Sequence, residues 1–479
     1  MKKTYKKNER FIFACILASV FLVYYFTYSQ QNASVSRAAT ISQLTTTNVA
    51  NFMTPERSNQ PSSVKEATAE PTVKANKFIE ISPGNYAFLA IIDRRDVDPS
   101  FPEAIKDFLL PKILNGAKAL ISLFQNTELV NTGNVRVLMA LTRSKGFSCQ
   151  FNDGSKITGE MVLQNNNGGK GKKLFYMYCV PPQNIDLETI DEIRIWDEQS
   201  MTSVAVPISY KIQDEGSIAV FPQTFSICVP FLYGEKYSAK DFVEFMEANR
   251  LLGVDQISIY SDDSLNEKLK MVMKEYSKEG LLENIPFSMP FDSADVHYYG
   301  QFLTITDCLL RHNGRTEFVS FQDLDEFVIP KANNNNQSIE NRLTLIPKLF
   351  SNKNRASLRL KVIYVFPEGN ELPITLNSHE QIDYADEIST KCIVRPHYVL
   401  EPFIHEATSF VRWRYVRDYA DTNDMVLFHY KSKEASISRI NAIRNEEKER
   451  KVINTNYYFM DYFSNISRVF NEKCKQLGL

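Results

Sequence analysis

The hydrophobic pattern of this chain changes character several times. Residues Phe11–Tyr28 are uncharged and almost wholly apolar, and no charge stands between Arg10 and Arg37. At about 1.5 Å per residue, roughly 20 such residues cross a bilayer core. Lys2, Lys3, Lys6, Lys7 and Arg10 precede the run. The positive-inside rule therefore predicts a cytoplasmic tail over 1–10, a type II signal-anchor over 11–28 and a lumenal remainder. A cleaved signal peptide is the alternative, but the run is long for one and no clean small-x-small site follows it. Residues 29–80 are rich in Ser, Thr, Asn, Ala and Pro without an apolar period, which predicts an extended stem.

From 81 to 213, short apolar runs recur between polar turns: AFLAII (87–92), VRVLMAL (135–141), GFSCQF (146–151), KLFYMYCV (173–180) and VAVPISY (204–210). Asn152-Asp153-Gly154 has the composition of a hairpin turn, and 165–171 that of a loop. This spacing predicts a β-rich, sandwich-like domain. From 214 to 479 the period switches. Phe225–Pro230 reads as a buried strand, and Ser238 with Asp241 as a capping box opening a helix that Gly253 ends. Gln256–Tyr260 is a strand, and Ser264 with Glu267 suggests a second capping box. Then follow a helix, strand Glu283–Phe287, helix Gln301–Arg311 and strand Phe318–Phe321. Alternating strands and helices predict an α/β domain with a mainly parallel sheet, which binds ligands beyond the carboxyl ends of its strands. Strand-like runs return at 357–365, 391–395, 409–415 and 425–430, and 439–450 and 457–474 are helix candidates.

Composition adds bounds. A net charge of −2 over 479 residues gives no argument for nucleic-acid binding. Beyond Cys15 the six cysteines 149, 179, 228, 308, 392 and 474 would be lumenal, where disulfides persist, with connectivity open. Asn32, Asn336 and Asn465 begin N-x-[ST] sequons.

The candidate chemistry lies in Glu317–Pro330, EFVSFQDLDEFVIP. Asp323 and Asp325, leaving a buried strand, suit a hard divalent cation such as manganese. Such an ion could bridge a nucleotide-sugar diphosphate and stabilise it as it departs. Asp262 ends an earlier strand and is a candidate uridine or ribose contact, or else a turn cap. Gln301 and Asp307 stand on a helix predicted to lie above the site, as nucleotide-sugar contacts or as orienting groups. Asp96-Val97-Asp98 is a second acidic triplet, but without α/β units beside it, and reads as a solvated turn. A haloacid-dehalogenase-like phosphatase would want Thr or Val where Phe327 stands, and its acids on the first strand of the domain.

ICVPFLYG (227–234), FVEFMEANRLLGVDQISIY (242–260), YGQFLTITDCLLR (299–311), FVSFQDLDEFVIP (318–330), KCIVRPHYV (391–399), IHEA (404–407) and FHYK (428–431) together resemble glycosyltransferase family 92. The resemblance implies a GT-A-like fold. It further implies a Golgi type II enzyme that moves a sugar, galactose in known members, from a UDP-sugar to a glycan or glycoprotein hydroxyl with inversion. Known acceptors are core fucose on animal N-glycans and plant galactan. Asp323 and Asp325 match the metal-binding acids, and His429 the histidine that completes the metal or diphosphate site. Lys431 stands where the family usually has Arg, keeping the charge but losing the two-pronged phosphate grip. Arg395 matches a donor-site position and His405 a donor- or acceptor-pocket position. Glu406, beside His405, is a candidate general base. The competing class is a non-catalytic glycan-binding or scaffolding paralogue of the same fold.

Overall fold

The computed structural model describes residues 75–95, 134–163, 171–182, 185–213, 220–330, 341–368, 373–375, 377–378, 380–383, 385–412, 414–444, 452–454 and 460–479. The anchor, Asn32, Asp96-Val97-Asp98 and Asn336 lie outside them. Among the described residues no helix is long and apolar enough to cross a membrane.

The first sheet is built from β1 (Ile79–Ser82), β2 (Asn85–Asp93), β3 (Asn134–Leu141), β4 (Phe147–Gln150), β5 (Lys156–Thr158), β6 (Glu160–Leu163), β7 (Lys173–Cys179), β8 (Glu192–Asp197) and β9 (Thr202–Ile212). Its order is β5-β4-β8-β9-β2-β3-β7-β6, with β1 on β2. Strands β4 and β7 are far apart in that order, yet the Cys149–Cys179 disulfide joins them. The sheet therefore folds over on itself around its own core, which includes Val137, Met139, Phe147, Met177 and Ile195. A continuous sheet thus plays the part of the expected sandwich. Gly154, at φ +86°, makes the β4–β5 turn.

The second sheet begins with the anticipated alternation: β10 (Gln223–Leu232), α1 (Ala239–Leu252), β11 (Gln256–Ser261), α2 (Glu267–Lys278), β12 (Leu282–Pro286), α3 (Gln301–Arg311) and β13 (Thr316–Phe321). Ser238 and Asp241 form the capping box that starts α1. Helix α2 is capped differently from expectation. Asn266 is its N-cap, accepting from the Leu269 N–H, because Ser264 is engaged with Asp262 and the Gly234 N–H.

Beyond β13 the chain forms β14 (Glu326–Pro330), α4 (Arg342–Leu349), β15 (Arg355–Phe366), β16 (Glu380–Ile382), β17 (Asp386–Val394), β18 (Val399–Pro402), β19 (Ala407–Phe410), β20 (Val416–Tyr419), β21 (Met425–Tyr430), α5 (Lys433–Arg444), β22 (Val452–Asn454) and α6 (Met460–Leu477). Of the run 409–415, expected as a strand, the first two residues end β19 and the rest lies between β19 and β20. The sheet is mixed, which corrects the expectation of a mainly parallel one. Strands β12, β11, β10 and β13 are parallel neighbours, but β17 runs antiparallel to both β13 and β15, and β14 antiparallel to β21. Among the described residues no helix separates β15 from β17, and the two strands pair antiparallel.

The order β12-β11-β10-β13 places a topological switch between β10 and β13. Helices α1 and α2 pack on one face, with Phe242, Phe245, Leu269 and Tyr276 buried. Helix α3 packs on the other, where Leu303, Ile305 and Leu309 share a core with Leu89, Leu138 and Tyr176 of the first sheet.

A polar tie crosses the same layer. Buried Asp93 accepts from Arg95 Nε at 2.9 Å and Nη2 at 2.6 Å, and also pairs with Arg136. Arg95 Nη1 donates onward to the Val399 carbonyl at 2.7 Å. Burial opposes the Asp93 charge, but the two guanidinium groups outweigh it and hold the carboxyl down at about 2. Its folded value lies below the unfolded one, so its stabilisation is present above the ordinary carboxylate value of 3.8 and is lost as pH falls through about 2. Asp93→Asn is expected to cost about 3–5 kcal/mol by leaving buried guanidinium charge uncompensated. It should also flatten the acid limb of the stability profile. Urea unfolding across pH 2–7 checks this, and a variant as stable as wild type would contradict the tie.

Candidate functional site

The acids follow β13 in a tight turn. The Glu326 N–H donates to the Asp323 carbonyl at 3.1 Å, and the Asp323 N–H to Glu326 Oε2 at 3.0 Å. Leu324 is buried between them, so the two aspartates leave the turn on its outer side. Glu326 starts β14 and lies opposite His429 of β21, and His429 in turn lies beside Tyr364 of β15. The neighbouring β10 continues into the loop that carries Lys236 and Tyr237.

Lys391 of β17 sits in the middle of this cluster. Its Nζ lies 3.0 Å from Asp323 Oδ2 and 3.1 Å from Glu326 Oε2, and it is buried. Burial disfavours the ammonium, but the two carboxylates outweigh it and hold it charged. Burial likewise opposes the Asp323 charge, yet Lys391 pulls that carboxyl below its ordinary value. Glu326 goes the other way. Its burial, with Asp323 and Asp325 close by, lifts it to about 7 despite Lys391.

Asp325 has a different surrounding. Its Oδ2 lies 3.9 Å from His429 Nε2 and 3.6 Å from Lys236 Nζ. The other ring nitrogen, His429 Nδ1, is 3.6 Å from Glu326 Oε1. Burial holds the His429 ring neutral, near 4, against the pull of Asp325. A neutral imidazole facing one carboxylate and backed by another is the donor set that transition metals use. Oxygen and nitrogen ligands at about 2.0–2.2 Å from an ion can span such a gap, so Asp325 and His429 fit a divalent cation. Asp323 is turned to Lys391. Among the described residues the three-ligand cluster within 4.8 Å is Cys228, Cys308 and His312. There the sulfurs form a disulfide, and both ring nitrogens are bonded, to Ser258 and Thr316.

Gln301 reaches the site, its Nε2 donating to Asp323 Oδ1 at 3.5 Å. A left-handed turn through Tyr298, Tyr299 and Gly300 aims it there, with φ of 47°, 53° and 78°. A Cβ on Gly300 would stand 2.8 Å from Met289 Sδ. Asp262 immediately follows β11 and holds the turn there by accepting from the Ser264 N–H and Oγ. His405 is half-buried, and Lys391 adds to the burial that lowers it to about 4. Its Nδ1 is 2.9 Å from the Thr390 carbonyl, which can only accept, so Nδ1 carries the proton and Nε2 the lone pair. Lys431 follows β21, two residues past His429, and its charge also opposes protonation of that ring.

Three expected residues lie elsewhere. Asp307 is buried, and its oxygens accept from Asn76, Tyr210, Tyr260 and Arg311, which ties α3 to both sheets. Arg395 donates to the Phe350 and Lys353 carbonyls behind the sheet. It is four residues from Lys391, about 13 Å along a strand. Glu406 is paired with Arg359 at 3.3 Å and with Arg417. Residues missed in the sequence were Lys391, Glu326, Lys236 and Tyr237. The available signal was Lys391 itself, a lone charge inside the run ISTKCIV. Asn465 is exposed on α6, and Cys392 and Cys474 are buried thiols.

A family model, Glycosyltransferase family 92, matches residues 223–465. The chain is similar to Beta-1,4-galactosyltransferase galt-1 of Caenorhabditis elegans, 33% identical over 303 residues that span 62% of this chain and 70% of the relative. It is also similar to a glycosyltransferase family 92 protein of the same organism, 37% identical over 70 residues that span 12% of this chain and 14% of that relative.

Lys391→Met leaves buried Glu326 and half-buried Asp323 without a cation and is expected to cost about 3 kcal/mol, the low end for a broken buried pair. Adding Glu326→Gln should restore a good part of it. Urea unfolding of the double-mutant cycle reads the coupling, and additive losses would refute a shared ion pair.

Proposed function

The chain belongs to glycosyltransferase family 92, and from that premise we propose that it moves galactose from UDP-galactose to a glycan hydroxyl, with inversion, on a GT-A-like domain. The observation that carries the reading is the acidic turn at the switch between β10 and β13, with neutral His429 Nε2 3.9 Å from Asp325. Open α/β sheets bind nucleotides at this place.

Asp325 and His429 would hold manganese or another divalent cation, and Glu326 would orient the ring. When bound, that ion neutralises charge on the departing diphosphate. Asp323, steadied by Lys391 and Gln301, is then available to the donor's ribose or sugar hydroxyls. Asp262 lines the nucleoside side, and Lys431 and His405 border the pocket. Glu406, held by two guanidinium groups, anchors the β18–β19 turn in this reading. The two disulfides accord with an oxidising compartment. We place the enzyme in the Golgi membrane by its 11–28 segment, with the folded part lumenal.

Asp325→Asn is expected to lower manganese-dependent hydrolysis and transfer of UDP-galactose by about 100-fold or more, since even supporting groups around a metal cost 10–100-fold. Its thermal unfolding should stay near that of wild type. Unaltered turnover would remove the metal role, and a wild-type chain inert toward all UDP-sugars would point to a glycan-binding paralogue.

Topology has its own test. Protease added to intact vesicles should spare everything after Tyr28, and digestion of the sheet region would exclude a lumenal catalytic domain.

A further inference from the structure

Two ammonium groups reach the acids, and they differ in kind. Lys391 is buried with both carboxylate partners at hydrogen-bond distance. It cannot leave without exposing Asp323 and Glu326 to each other. Lys236 stands at the mouth, its side chain 65% exposed and its Nζ 3.6 Å from Asp325 Oδ2. The same Nζ donates to the Tyr237 hydroxyl at 2.5 Å and lies 4.4 Å from the centre of that ring. An exposed pair at this separation is weak and easily exchanged. Of the acids in the turn, Asp325 is therefore the one whose nearby ammonium can be replaced.

We propose that Lys236 is a displaceable counter-ion and phosphate ligand. It balances Asp325 while the donor is absent, and turns to the donor's diphosphate once a divalent cation takes Asp325. The inference rests on the reading under Proposed function and adds a residue and a sequence of events to it. An ammonium and a divalent ion held at the same carboxylate oxygen repel each other, so one excludes the other. The displaced ammonium stays close because its loop leaves the end of β10, on one side of the switch point. Gly234, at φ +67°, turns the chain there. Its flexible stem keeps Tyr237 as a platform, and a point charge free to swing suits a phosphate oxygen.

The proposal makes opposite demands on two affinities. In the full-length chain, Lys236→Met should bind manganese without nucleotide about 2–5-fold more tightly, because a weak competitor is gone. It should bind UDP at saturating manganese about 2–5-fold more weakly, because a phosphate contact is gone. Lys236→Arg should keep UDP binding near wild type. Manganese titration by electron paramagnetic resonance and UDP titration by calorimetry give both numbers without turnover, and thermal unfolding should be unchanged. If Lys236→Met leaves both affinities as they were, or weakens both, the counter-ion role is overturned while the metal site stands. A wild-type chain that binds neither manganese nor UDP overturns the metal site and this proposal together.

Discussion

The ion pair of Lys391 with Asp323 and Glu326 is the constraint on which the site depends. Three carboxylates within four residues cannot be packed at the end of a buried strand without a cation, since each would repel the next in a poorly hydrated space. The cation comes from β17, which lies antiparallel to β13 with Val394 opposite Val319 and Ile393 opposite Ser320. Continuing that register brings Lys391 alongside the turn. The mixed character of the sheet is thus bound up with the chemistry, because the antiparallel neighbour delivers the balancing charge. One consequence is a division of labour. Asp323 and Glu326 share the buried Lys391, and Asp325 keeps a surface-exposed partner and a neutral histidine.

The first sheet contributes at a distance. Helix α3 lies between the two sheets, and its position is set by contacts on both. Asp307 collects donors from Tyr210 of β9 and Tyr260 of β11, and the Cys228–Cys308 disulfide links the helix to β10. The amino end of that helix carries Gln301, which meets Asp323. On the far side, Arg95 fixes the carbonyls of Pro396, His397 and Val399, just past the end of β17. Both strands that bring the acids and Lys391 together are therefore braced through the β-rich layer.

Much of this was legible beforehand for identifiable reasons. Strands buried on one or both faces stand out as apolar runs, and helices announce themselves by caps, as with Ser238, Asp241 and Gly253. The acids of the turn were visible because charges seldom follow so closely on a buried strand. Partnership was not legible. From the motif KCIVRPHYV the arginine looked like a donor-site contact, but Arg395 stands just past the end of β17 and donates to the Phe350 and Lys353 carbonyls, while Lys391 within the strand meets the acids. Asp307 looked available on its helix, and four donors from distant segments occupy it. Glu406 looked like a base, and Arg359 and Arg417 hold it.

What the sequence determined by itself was therefore local and periodic: the alternation of strands and helices in the second sheet, the position of the acidic turn at a strand end, and the family. Periodicity reports which face of an element is buried, and it does so without reference to any other element. The tertiary structure decided which charges meet. The antiparallel return of β17, the pairing of Glu326 with His429 and the approach of Lys236 to Asp325 are contacts between residues dozens of positions apart. Electrostatic character depends on such distances and on burial, so the same carboxylate can be an anchor, a proton carrier or a ligand until its neighbours are placed.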